Sequence, residues 1–183
     1  PELMPRALFW FRWGAAWTWV TGALLLGVVF HSHPLDMFGA GGQWTAGAGA
    51  MVTLVLVSPF IYDVLANSGL GKNNKAFAWV ALVLVGVLIW AYVHFGGMTY
   101  RATNIHIGAL FGTIMAMNVW MRIWPAQKKI IAATKAGNAP EAPVVALAGL
   151  RSKQNTYMSV PLIFSMGSNH YPTVYGRPYG WVI

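Results

Sequence analysis

Five apolar runs dominate this chain and leave few folds open to it. They lie at about 7–30, 48–66, 76–95 and 102–124, with a shorter one at 155–171. A run of about 20 apolar residues is the length of helix that crosses a hydrocarbon core of about 30 Å. Charged residues make up only 9% of the sequence, against about 25% in a soluble domain. Ten Trp and 20 Gly suit the same setting, because Trp collects at membrane interfaces and Gly lets helices approach closely. The expected fold is all-α: a single-domain polytopic transmembrane helix bundle of about five spanning helices. A soluble helical domain with a large core does not account for so many long uncharged runs. Pro59 is expected to kink the second span, and Pro125 to end the fourth. Between the last two spans, 125–154 reads as a basic loop with a short helix near its start and GNAPEAP at its centre.

The cations give the runs a direction. With the N-terminus cytoplasmic, ten of the twelve Lys and Arg fall on the inner side, and only Arg101 and Arg177 fall outside. That is the positive-inside pattern. The net charge of +8 is therefore topological, so lipid is the expected partner and nucleic acid is not. The absence of cysteine excludes disulfides, Cys-ligated metal and a CxxCH haem attachment within the chain, so a redox centre here needs His, Met or other ligands. Four acidic residues leave little for a two-carboxylate hydrolase, and neither a catalytic triad nor a phosphate loop is visible. Asp63 reads as half of a solvated ion pair with Lys72 or Lys75. The start at Pro1, without Met or a signal pattern, reads as a processed or incomplete product.

In this topology all five histidines fall in the outer half. His31 and His33 follow the first span, and their HxH before Pro34 is a weak ligand pattern. His94 ends the third span, His106 lies about one turn into the fourth, and His170 ends the fifth. Ionisable groups inside a membrane are costly and tend to be functional, and neutral imidazole ligates iron and copper well. His94 and His106 flank the GGMTYR turn, on adjacent antiparallel helices at similar depth, as two axial ligands of one haem would. His94, His106 and His170 are therefore candidate cofactor or iron ligands, with haem b as the candidate cofactor. Proton handling is the other reading. The bland alternative is that each histidine bonds a neighbouring helix backbone or sits in interfacial water. Gly108 and Gly112 form GxxxG, a close-packing surface, and Met115, Met117 and Met121 read as packing residues.

The run HIGALFGTIMAMNVW, then PAQKKIIAATKAGNAP, then RSKQNTYMSVPLIFSMGSNHYP, resembles the membrane domain of the bacterial membrane-bound urate oxidases (urate hydroxylases). WFRWGAAWTWVTG and LGKN fit the same pattern in the same order, so the resemblance covers nearly the whole chain. It implies a multi-pass protein of the bacterial inner membrane that oxidises urate and passes electrons to a c-type cytochrome, which relatives carry as a C-terminal domain. By motif match, His106, Arg151, Asn155, Tyr157, Asn169, His170 and Tyr171 carry over as candidate functional residues. Urate is an anion at neutral pH, so its site needs a cation or amide donors, a proton-handling group and an electron acceptor. Arg101, Asn169 and Tyr171 are the candidate catalytic residues at the outer face. Relatives also carry an earlier helix with an Arg-Trp-Leu-His type motif and a later CxxCH domain, and many have His where this chain has Gln154. The second reading is a non-catalytic scaffold or electron-transfer subunit of a larger respiratory or photosynthetic complex, in which the histidines are structural.

Overall fold

In a computed structural model, which describes residues 3–171, the chain forms helices that surround one of their number. α1 spans Leu3–Leu26 and runs on through a π-helical turn, Gly27–His31. The short α2, Pro34–Phe38, comes next, then α3 at Ala46–Asn67 and α4 at Asn74–His94. α5, Tyr100–Asn118, passes through a second π turn, Val119–Ile123, into α6 at Trp124–Lys135. α7 spans Ala142–Ser168. Arg177 and the Trp181-Val182-Ile183 tail lie outside the described residues.

α5 is the axle. It packs against α1, α2, α3, α4 and α7, and residues on all its sides are buried. Its small residues make this possible. A Cβ on Gly108 would stand 2.8 Å from Ser165 Oγ and 2.9 Å from Met166 Cγ, and one on Gly112 would touch Leu162 at 3.5 Å. The GxxxG surface thus holds α7 against α5. By contrast, α1 buries no residue within Leu3–Leu26, and α4 buries only Tyr92. Exposed Trp10, Trp17, Leu24, Trp79 and Val83 form an apolar exterior suited to lipid, which cannot satisfy backbone groups and so favours helices.

Caps and turns set where the axle begins. Thr99 caps α5 by accepting from the Ala102 amide, and its hydroxyl donates to the Asp36 carbonyl at 3.0 Å. The Thr99 amide also donates to Met37 O at 2.9 Å, which ties α2 to the start of α5. Gly97 makes the tight α4–α5 turn at φ +64°, a region that favours glycine.

Among the described helices, four are long and apolar enough to cross a membrane: Leu3–His31, Ala46–Asn67, Asn74–His94 and Tyr100–Lys135. The fifth expected span differs. α7 starts at Ala142, well before the expected Asn155, and carries Arg151, Lys153, Gln154 and Asn155 in its middle. These polar residues lower its hydropathy, and the inward ones bond to α3 and α5. Pro125 does not end the helix either. It sits at the second residue of α6, directly after the π turn, and the helix runs on through it. The expected short helix is α6, and the loop is confined to residues 136–141, entered through Gly137 at φ +74°.

Candidate functional site

The bundle has two polar clusters, one at each end of α5. The first is a histidine pair. The π turn at the end of α1 adds a residue to the helical repeat and rotates the residues beyond it about the helix axis. It carries His31 onto α5, where His31 Nε2 meets His106 Nε2 at 3.0 Å. His106 is fully buried and His31 half-buried.

The partners fix where the protons sit. His106 Nδ1 lies 2.7 Å from the Ala102 carbonyl, which only accepts, so Nδ1 carries the hydrogen. His106 Nε2 is then a bare lone pair and must accept from His31 Nε2–H. In the neutral pair His31 is left with a bare Nδ1, on a ring partly open to the surface. A proton taken there converts His31 to an imidazolium that still donates to His106. The pair is thus a directional proton acceptor with one end inside the bundle and one at its surface.

Aromatic rings enclose it. Phe30 and Tyr92 stand 6.4 and 5.8 Å from the His106 ring, centroid to centroid, and Trp44 stands 5.8 Å from His31. Tyr92 is itself held by donating to Met51 O at 3.1 Å. Phe30, Met37, Val55, Tyr92, Ala102 and Ile107 belong to one buried apolar cluster, so the best-packed core surrounds His106.

Beside the pair, Arg101 donates from Nη1 to Asp36 Oδ1 at 3.0 Å, and its guanidinium lies 5.2 Å from the Phe30 ring centre. Arg101 Nε is buried without a partner. Leu35, Asp36, Met98, Thr99 and Arg101 help line an open depression of about 480 Å³, a volume within the usual range for small-molecule sites. On α7, Asn169 Nδ2 donates to Ser165 O at 3.0 Å while its Oδ1 is buried without a partner. His170 and Tyr171 come next, both exposed. His94 is exposed at the end of α4, against the Trp90 ring.

Of the histidines named from the sequence, the fold brings His106 to His31 and leaves His94 and His170 on the exterior. Among the described residues no three His, Cys, Asp or Glu converge to hold a metal ion. Opposite axial imidazoles on one iron need Nε2 atoms about 4 Å apart, from metal–nitrogen bonds of about 2 Å, with the macrocycle between them. Hydrogen-bonded nitrogens 3.0 Å apart leave no room for it. The described residues at this end, so arranged, do not fit a bis-imidazole haem.

The second cluster is basic. The π turn after α5 brings Arg122 onto Asp63, which takes Nε at 2.8 Å and Nη2 in a shorter contact. Arg151 Nη2 reaches the same carboxylate at 3.0 Å and Asn67 Oδ1 at 2.7 Å. Asp63 thus pairs inward with two arginines and not with Lys75 as expected, the Lys72 side chain lying outside what is described, and the Asp63 side chain is only 17% exposed. Around it, Tyr62 donates to Gln154 Oε1 at 2.6 Å, and Asn118 donates to Asn155 Oδ1 at 2.9 Å. Sequence reasoning gave Asp63 a solvated partner and Arg122 none.

Fold and clusters together define a helical membrane bundle with a histidine pair at one end and an arginine–aspartate cluster at the other. The chain belongs to the urate oxidase N-terminal family, whose match covers residues 1–183. No curated protein and no solved structure matches it.

Proposed function

We propose that this chain oxidises urate, or a closely related anion, at the histidine end and delivers the electrons to a c-type cytochrome. The observation that carries the reading is the His31–His106 pair, inside a chain of the urate oxidase N-terminal family and open to the surface only through His31. Converting urate to its 5-hydroxy product adds the elements of one water and releases two protons and two electrons. The protons need an acceptor beside the substrate, and the bare Nδ1 of His31 is one, with His106 behind it holding the ring in that tautomer. The anion needs a cation, and the Arg101 guanidinium, on a side chain 36% exposed, lines the depression beside Asp36. Asn169 and Tyr171, at the same end of the bundle, are the further contacts proposed for the purine. The electrons leave one at a time to two oxidised cytochrome haems.

The positive-inside pattern supports a position for this end outside the cytoplasmic membrane of a bacterium, the side on which a soluble c-type cytochrome is met. The experiment is a mixture of the purified protein, urate and oxidised cytochrome c, with absorbance followed for both. Urate loss matched by reduction of about two cytochromes per urate supports the reading. Urate loss without cytochrome reduction removes the acceptor from it, and no urate loss with native-like folding leaves the chain as a scaffold.

A further inference from the structure

We propose that the seam between α1 and α6 seats one phospholipid with a net negative headgroup, whose phosphate is held by Arg12. Arg12 lies inside the apolar span Leu3–His31, yet among the described residues no acid reaches it. Asp36 pairs with Arg101, Asp63 pairs with Arg122 and Arg151, and Glu141 is exposed at the start of α7. Arg12 Nε is buried without an acceptor, and among the described residues the rest of its guanidinium has none either. A charged group at membrane depth is costly without a partner. Arginine presents its donors in a planar fork that matches phosphate.

Aromatic rings hold this cation in place. The Arg12 guanidinium lies 4.0 Å from the Trp124 ring centre, 5.7 Å from that of Trp120 and 5.4 Å from that of Phe9. Trp13 closes the seam against Trp120, with centroids 5.4 Å apart. Rings attract the charge but supply no anion. Arg12 is only partly buried, so a ligand outside the bundle can reach it. Lys128, one turn beyond Trp124 on the same face of α6, is exposed and offers a second cation.

Depth selects the ligand. A hydrocarbon core of about 30 Å takes about 20 helical residues. Leu3–His31 has 29 residues and Tyr100–Lys135 has 36, so both overrun it. About 20 residues back from His31 stands Arg12, and about 20 residues on from Tyr100 stands Trp120. Two antiparallel helices thus put the same cluster at the hydrocarbon boundary, the level of the aromatic belt and of headgroup phosphates. A zwitterionic headgroup carries its own cation beside the phosphate, whereas a net negative one leaves that phosphate to the protein. The site lies at the opposite end of α5 from the histidine pair and is independent of the urate reading.

The test is native mass spectrometry of the full chain in uncharged detergent, with phosphatidylglycerol and phosphatidylcholine titrated in equal amounts. The expected result is retention of one phosphatidylglycerol about fivefold more tightly than phosphatidylcholine, the scale of one arginine meeting an anionic headgroup. Arg12→Gln is expected to abolish the preference. It is also expected to fold, since α1 buries no residue within Leu3–Leu26. Trp124→Leu takes away the ring nearest the guanidinium and is expected to weaken the preference, which keeps a test in hand if Arg12→Gln does not fold. Lys75→Gln, an exposed cation at the same end on α4, is expected to leave it unchanged. Equal retention of the two lipids by the wild type overturns the proposal, as does an undiminished preference in folded Arg12→Gln or Trp124→Leu. A loss in Lys75→Gln as large as in Arg12→Gln overturns it in favour of general charge attraction. Displacement of the lipid by an equal concentration of inorganic phosphate overturns it in favour of a free anion.

Discussion

At the scale of single residues, position in the bundle decides what each charged group does. Arg101 and Arg151 both meet a carboxylate, yet the Arg101 side chain is 36% exposed and that of Arg151 is 1% exposed. Exposure leaves Arg101 free to exchange Asp36 for a substrate anion, whereas Arg151 is fixed in the interior. Arg101→Gln is therefore expected to raise KM for urate about tenfold or more with kcat little changed, the pattern of lost uniform binding. Steady-state kinetics of cytochrome reduction checks it. Asp63→Ala removes the one carboxylate from two arginines, and breaking a buried ion pair in this way costs about 3–5 kcal/mol. Denaturation in detergent should show the loss, and a change below about 1 kcal/mol would mean that the cluster carries no structural weight. The sequence marks His106 as a candidate but not its partner. His31 reaches it only through the π turn, and no periodicity in GVVFH signals that extra residue. In sequence Asp63 pairs most simply with the lysines nearest to it, whereas its partners come from helices 59 and 88 residues away.

At the scale of elements, the π turns and the GxxxG surface have complementary roles. Each π turn re-aims a helix so that one ionisable side chain faces inward, His31 in one case and Arg122 in the other. The glycines bring α7 close enough for Arg151, Gln154 and Asn155 to reach α3 and α5. Gly108→Leu would drive a side chain into Ser165 and Met166, and overpacking of this kind costs about 1–3 kcal/mol. Gly22→Ala has nothing within 4 Å and is expected to be neutral or slightly stabilising. Melting curves of the two variants separate a packing role from a general dislike of substitution. The first four spans are legible in the sequence because uncharged runs of membrane length have few other readings. α7 is legible only in its second half. Its first half carries polar residues that look solvated in sequence, and only the packing of α7 on α5 shows that Arg151 and Gln154 point inward.

At the scale of the molecule, the bundle separates two chemistries along one axle, with histidines and aromatics at one end and arginines with amides at the other. Its apolar exterior on α1 and α4 suits a bilayer, and the cation distribution leads to the expected direction, histidine end outward. That direction is tested by Gln43→Cys, a single thiol in a chain with none, on the loop between α2 and α3. Labelling from the extracytoplasmic side by a membrane-impermeant maleimide is the expected outcome. Labelling only from the cytoplasmic side would invert the bundle and put the histidine end on the wrong side for a soluble cytochrome c. The placement of His31, His94 and His106 at one end of the bundle is legible in the sequence, from the alternation of the spans. Their pairing is not, because it depends on the depth and rotation of helices joined through α2 and the core around Tyr92.

The central claim is that the His31–His106 pair accepts the protons of urate oxidation. The most direct measurement compares urate-dependent cytochrome c reduction by the wild-type protein with that of His31→Phe and His106→Gln, after confirming that each variant melts like the wild type. A positioned proton acceptor contributes about 10²–10⁴-fold. A loss of that size in kcat for both variants, with KM within about threefold of wild type, is the predicted result. Activity within about threefold of wild type in either folded variant would contradict the account.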